Sequence, residues 1–312
     1  MTPQTLDAPL ALSGAILARV SDPGDGSYLA DLPTGTHALS GHYPGYPIVP
    51  GVFLTEVVAS AEADHVGLPL PLNEWAGVRS VRFRAPVFPG QRVRLRRAER
   101  RSGPRWTIHH LDGTAVATVD LVIDADREAV TIAAAQAEEG TERDAVPDSL
   151  LPAPAQIIPH RPPMLLVDRV ASLTPGASAH VLYTATAGLA GADPDAGAPM
   201  PWPLVVESWG QAAALLATWA EPSPDVHTGN VLLFGGARNV RFGAQPLPGV
   251  LIDHRVELVA DAGGAAVLAG TAWAGDTKIL DVGQVTIGRR PPGSLPDPQS
   301  QTSTVPAESS HE

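Results

Sequence analysis

This chain repeats itself, and that constrains it more than any other feature. Residues 81–90, VRFRAPVFPG, return as VRFGAQPLPG at 240–249, a gapless match 159 positions apart. Each copy runs from an alternating apolar segment through a Pro-Gly turn into a second alternation. In the first copy Val93 and Leu95 alternate with Arg92, Arg94 and Arg96; in the second Val256 and Leu258 alternate with Arg255 and Glu257. A period of two on both sides of a turn signals strand, turn, strand. Upstream of each copy lies an apolar stretch opened by proline, VFLTEVVASAEADH after Pro50-Gly51 and LVVESWGQAAALLATWA after Pro201-Trp202-Pro203. Proline is accepted in a first helical turn and prevents helix before it, so both stretches read as helices with fixed starts. A helix that is apolar nearly all round must be enclosed. The simplest enclosure is a strongly curved antiparallel sheet around each helix, and two such units can pair edge to edge.

The repeat divides the chain into a first unit over 1–135 and a second over 151–291. The segment 136–150, QAEEGTERDAVPDSL, is charged and lacks an apolar period, so it reads as a linker. The segment 292–312, PGSLPDPQSQTSTVPAESSHE, has too little apolar surface to order itself and reads as a disordered tail. Hydrophobic residues make up 44% of the chain, too many for a disordered protein. No apolar run approaches the roughly 18 residues that span a bilayer. The net charge of −12 argues against a nucleic-acid partner, because binding a phosphate backbone needs clustered cations. The chain has no cysteine, which removes thiol catalysis, thiolate metal sites and disulfides together. Its first residues carry no basic stretch ahead of an apolar one, and a cytoplasmic protein is expected.

The segment before the first helix, GHYPGYPIVPG at 41–51, carries a histidine among regularly spaced prolines and glycines, and Glu56 follows His42 by fourteen residues. This pattern closely resembles the signature of the hotdog-fold 3-hydroxyacyl-acyl carrier protein dehydratases. In the second unit IIPHRPPMLLVDRV (157–170) and VVESWGQAAA (205–214) resemble two further segments of the same family. The likeness spans about residue 35 to residue 290, and the tandem arrangement resembles the double-hotdog dehydratase domains of polyketide synthases. It implies an α+β fold of two hotdog units, each a long central helix wrapped by a curved sheet, forming a pseudo-dimer within one chain. That chain could be a monomer or could dimerise further.

The two copies differ informatively. Fourteen residues before Glu207 stands Asp193, so the second unit lacks the histidine; four residues after Glu56 stands Ser60, where the second unit has Gln211. In the family the histidine of one hotdog faces the carboxylate of its partner. Carried over, His42 meets Glu207, with Gln211 one helical turn further on the same face. Glu56 is left without a histidine opposite, as a relic or a structural residue. Gln211 either satisfies Glu207 or touches substrate.

The implied reaction is loss of water from a (3R)-3-hydroxyacyl thioester on acyl carrier protein, giving a 2-enoyl thioester in fatty acid, polyketide or polyene synthesis. Double-bond isomerisation is a close variant. A neutral imidazole can take the C2 proton at neutral pH, and a carboxyl whose pKa is raised by an apolar pocket can donate to the leaving hydroxyl. The Gly51 N–H at the helix start is the natural donor to the thioester oxygen, whereas the second unit has Trp202 there, followed by Pro203, which has no N–H. The pattern implies neither cofactor nor metal. His160 reads as structural, and His109 and His110 point to opposite faces of a strand. The strip Arg92, Arg94, Arg96 is either a solvated edge guarded against aggregation or a docking surface for the acidic carrier. Two rivals stay open: a catalytically dead hotdog scaffold that binds acyl carrier protein or an active dehydratase, and an acyl thioesterase.

Overall fold

The computed structural model describes residues 10–12, 16–32, 37–67, 75–123, 146–147, 150–186, 197, 199–228 and 231–291. Most of the expected linker over 136–150, and the expected tail over 292–312, lie outside the described residues. Strands β1 (Leu10–Leu12), β2 (Ile16–Ser21) and β3 (Ser27–Asp31) precede the short helix α1 (His37–Ser40) and the long helix α2 (Gly51–Val66). Then follow β4 (Trp75–Phe83), β5 (Arg92–Arg100), β6 (Gly103–His110) and β7 (Ala115–Ile123). The second unit repeats the plan with β8 (Arg169–Thr174), β9 (Ser178–Thr184) and α3 (Trp202–Ala217). It continues with β10 (Val231–Phe242), β11 (Leu251–Asp261), β12 (Ala265–Ala274) and β13 (Thr277–Arg290).

Both long helices begin where proline placed them, after Pro50 and Pro201, and α2 ends on Gly67 at φ +68°. Phe53, Leu54, Val57 and Val58 of α2, and Leu204, Val205, Trp209 and Ala212 of α3, are buried against the sheet. The alternation read around the first Pro-Gly turn holds, since Val93 and Leu95 are buried while Arg92 and Arg96 are exposed.

All thirteen strands form one sheet in the order β1-β2-β3-β5-β6-β7-β4-β10-β13-β12-β11-β9-β8, which curves around each helix without closing. Its halves meet at β4 and β10, where the repeats pair with their own mirror register: Val78 opposes Val240 and Val81 opposes Ala237. Because 240 corresponds to 81 and 237 to 78, this is the isologous contact of a two-fold dimer built within one chain. Two equivalent glycines allow it. A Cβ on Gly77 would lie 2.0 Å from the Val240 carbonyl oxygen, and one on Gly236 would lie 2.3 Å from that of Val81; their φ angles are +153° and +157°. The expected double hotdog is thus the observed fold, and α2 and α3 pack against each other across its centre.

Candidate active site

His42 sits in the turn before α2 and is 7% exposed. Its Nδ1 lies 3.1 Å from the Ile48 carbonyl oxygen. A carbonyl can only accept, so Nδ1 carries the proton and Nε2 presents a bare lone pair. The Tyr43 ring stacks on the imidazole at 4.5 Å, and its hydroxyl donates to the Leu232 carbonyl, tying the turn to the second unit. The Arg161 N–H donates to the Gly41 carbonyl at 2.8 Å, and a Cβ on Gly41 would lie 2.2 Å from the Arg161 carbonyl oxygen, so the two loops meet backbone to backbone.

Glu207 stands on the second turn of α3, and its Oε1 is 3.9 Å from His42 Nε2. The same oxygen lies 3.5 Å from His160 Nε2 and accepts a hydrogen bond of 3.0 Å from Gln211 Nε2. Gln211 also donates to the Met164 carbonyl and accepts from the Leu166 N–H, both at 2.8 Å. Its polar atoms are therefore engaged in clamping the 164–166 loop and holding Glu207, while the residue also borders the cavity.

His160 lies closer to this pair than the sequence suggested. Taken there as a structural residue, it lies 5% exposed with its ring centroid 5.2 Å from that of His42, on the wall of the same cavity.

The charge state departs from the sequence reading. Burial alone would raise the Glu207 pKa, but the His160 hydrogen bond, the neighbouring imidazoles and the Gln211 N–H outweigh it and hold the carboxyl at about 2. Burial pushes His42 down to about 4 against the pull of Glu207, with His160 adding to the drop. The resting pair at neutral pH is a neutral imidazole beside a carboxylate, not the protonated carboxyl expected from an apolar pocket.

These groups line a cavity of about 280 Å³ together with Gly51, Val52, Phe83, Val206 and Phe234. Gly51 opens α2, where the first N–H groups lack intrahelical partners; a Cβ there would lie 2.6 Å from the Phe83 ring. A second cavity of about 40 Å³ contains Glu56, Trp202, Pro203 and Phe242 and lies on the pseudo-two-fold axis, since its lining pairs Val78 with Ala237, Val81 with Val240 and Phe83 with Phe242. Trp202 takes the place of Gly51 as first residue of its helix and stacks on Phe242, the counterpart of Phe83, at 4.8 Å. Glu56 is thus separated from the His42 site, and Asp193 lies outside the described residues.

No metal-ligand spacing was visible in the sequence, yet one ligand-capable atom each from His42, His160 and Glu207 lies within 4.8 Å of the others. The arginine strip is largely neutralised: Arg92 pairs with Asp31 and Arg94 pairs with Asp25, while Arg96 is exposed. Arg84 and Arg290 line the large cavity, and neither joins an ion pair among the described residues.

The ApeI-like family, described as ApeI dehydratase, matches residues 23–120. A 3-hydroxyacyl-[acyl-carrier-protein] dehydratase FabZ of Shewanella amazonensis is 34% identical over 139 residues, covering 43% of this chain and 87% of that protein. The chain belongs to the FabZ family of dehydratases. The FabZ of Symbiobacterium thermophilum is 37% identical over 125 residues, covering 39% of this chain and 84% of its own length. Each FabZ match thus corresponds to about one of the two units. The dehydratase domain of PpsC from Mycobacterium tuberculosis, solved in complex with C12:1-CoA, superposes with a TM-score of 0.62 at 14% identity. It covers 90% of this chain and 100% of that domain, so its likeness is one of fold, in the tandem form. This FabZ-type chain is a hydro-lyase of acyl thioesters, and none of its described helices is long and apolar enough to cross a membrane.

Proposed function

We propose that the protein removes water from a (3R)-3-hydroxyacyl group carried on acyl carrier protein, at one site made by His42 of the first unit and Glu207 of the second. The observation that carries this reading is the bare Nε2 of His42 facing the Glu207 carboxylate, 3.9 Å away, inside a cavity of about 280 Å³ that both residues line.

His42 Nε2 takes the proton from C2, and the freed electron pair forms the C2–C3 double bond as the C3–O bond breaks. The developing charge on the thioester oxygen falls on the Gly51 N–H at the positive end of α2. Glu207 orients the substrate hydroxyl, takes the proton from the imidazolium and passes it to the departing oxygen, which leaves as water. The resting pair holds no spare acidic proton, so the proton lifted from C2 is the one delivered at C3, and the pair returns to its starting state. Atoms, charge and oxidation state balance with side chains alone.

Incubation with a 3-hydroxyacyl carrier protein, followed by mass spectrometry, tests the reading. Loss of one water that disappears in His42→Ala and Glu207→Gln supports it. Hydrolysis of the thioester would make the protein a thioesterase, and silence would make it a scaffold.

A further inference from the structure

We infer that His160 is a positioning residue for this reaction: its Nε2–H holds Oε1 of Glu207, so that Oε2 is left to meet the substrate hydroxyl. The inference rests on the proposed pairing of His42 with Glu207 and adds a third group to it.

Hydrogen-bond chemistry divides the labour between the two histidines. Both Nε2 atoms face Oε1 of Glu207, at 3.5 Å for His160 and 3.9 Å for His42. His42 has its proton on Nδ1, committed to Ile48, so its Nε2 offers no donor to the carboxylate and keeps its lone pair for the C2 proton. A carboxylate oxygen only accepts, so the bond from His160 requires its proton on Nε2. The tautomer has a visible consequence. His160 Nδ1 is buried and has no hydrogen-bond partner, an arrangement that packing alone would not favour.

Both donors to Glu207, His160 Nε2 and Gln211 Nε2, fall on Oε1, and Oε2 has no protein donor among the described residues. An oxygen held from two sides fixes the plane of the carboxylate and directs its free partner.

The backbone that presents His160 is pinned as firmly as its ring. Arg161 Nη1 donates to the carbonyls of Ile158 and His160 at 2.9 and 2.7 Å, and Nη2 donates to that of Pro224 at 3.1 Å. The Arg161 N–H is bonded to Gly41, one residue before His42. The imidazoles of the two units are therefore set relative to one another through a backbone contact. Besides His42, His160 and Gln211, the group facing Glu207 is Tyr43, which burial first and then the carboxylate charge push upward, so it stays neutral.

Steady-state kinetics against pH on a 3-hydroxyacyl carrier protein tests the inference, using His160→Phe, which keeps an aromatic ring, and His160→Gln, which keeps an N–H of similar reach. His160→Phe should lower kcat roughly tenfold to a hundredfold, the cost of a loosened reacting group, with little change in KM. Removing the donor leaves burial to dominate at Glu207, so the acid limb of the kcat profile should move to higher pH. His160→Gln should recover most of kcat and move the limb back. Wild-type kcat in His160→Phe would overturn the inference. So would a loss that His160→Gln does not recover and that leaves the limb in place, because a purely structural role predicts that pattern. If circular dichroism shows that His160→Phe does not fold, His160→Asn, too short to reach Oε1, replaces it under the same criteria. Full activity in Glu207→Gln would remove the underlying site assignment; an inactive Glu207→Gln beside a fully active His160→Phe would remove only the role of His160.

Discussion

The difference between the two cavities makes a quantitative prediction about two glutamates at equivalent helix positions. As His42 takes the C2 proton it becomes an imidazolium 3.9 Å from the Glu207 carboxylate. At an effective dielectric constant of about 20 this attraction is worth about 4 kcal/mol, which corresponds to roughly a thousandfold in rate. Glu207→Gln removes the charge, while its amide oxygen can still accept from Gln211 and His160, so the packing survives. Turnover should fall by roughly 10³-fold, inside the usual range for acid–base groups. Glu56 occupies the cavity of about 40 Å³, which has no histidine among its described lining residues, and Glu56→Gln should keep most of the activity. His42→Ala should match Glu207→Gln, and the double variant should be little worse than either, because groups that act as a unit are not additive. The assay is single-turnover conversion of a 3-hydroxyacyl carrier protein followed by mass spectrometry, with circular dichroism to confirm the fold. If Glu56→Gln folds normally and loses as much as Glu207→Gln, the pairing across units is wrong.

Val52, Phe83, Val206 and Phe234 line both cavities, and Phe83 and Phe234 meet edge to face at 5.9 Å. Phe234→Leu should open the small cavity to the large one and shift kcat/KM toward longer acyl chains; an unchanged chain-length profile would remove the aromatic pair as a barrier. Dialysis against EDTA should leave dehydration unchanged, whereas a loss restored by a divalent ion would make His42, His160 and Glu207 a metal centre. Burial holds His254 at about 3 and His42 at about 4, below the ordinary value of 6.5. Below that value the unfolded chain binds protons the folded chain does not, so stability is complete above about pH 6.5 and falls toward pH 4, by on the order of a few kcal/mol. Equal urea midpoints at about pH 7.5 and 5, or a pH dependence that His254→Gln fails to flatten, would count against this. With Arg92 and Arg94 already paired, Arg84→Glu should weaken carrier-bound substrate more than Arg94→Glu with Arg96→Glu, and should spare a short pantetheine thioester. The reverse order would return docking to the strip.

What the sequence disclosed was whatever local spacing encodes. Two prolines start two helices, an alternation around each Pro-Gly turn makes two hairpins, and fourteen residues between His42 and Glu56 carry a family resemblance that Asp193 breaks in the second unit. The facing of His42 and Glu207 was what that resemblance implied once the units were taken to pair. His160 was not legible, because its place depends on the Arg161 to Gly41 contact between loops more than a hundred residues apart. The Glu207 charge was misjudged for the same reason: burial is visible as flanking apolar residues, but the donors that outweigh it arrive from His160 and from the far side of a helical turn. Arg92 and Arg94 looked like free cations because β3 was not assigned, and it is β3 that brings Asp31 opposite Arg92.

Fusion explains why the copies could diverge at all. In a symmetric pair of separate chains, each copy must keep a histidine and a carboxylate, since every substitution appears at both sites. Within one chain the backbone symmetry is retained where packing demands it, in the equivalent glycines 77 and 236 and the mirrored register of β4 with β10. The pocket positions are released from it. At the head of α2, Gly51 lets the Phe83 ring approach where a Cβ would stand; at the head of α3, Trp202 stacks on Phe242 instead. An open cavity weakens the core around it, and a buried tryptophan contributes on the order of 3–5 kcal/mol judged by the cost of truncating one. Trp202 therefore adds packing at the helix position whose counterpart, Gly51, borders the cavity that holds His42 and Glu207.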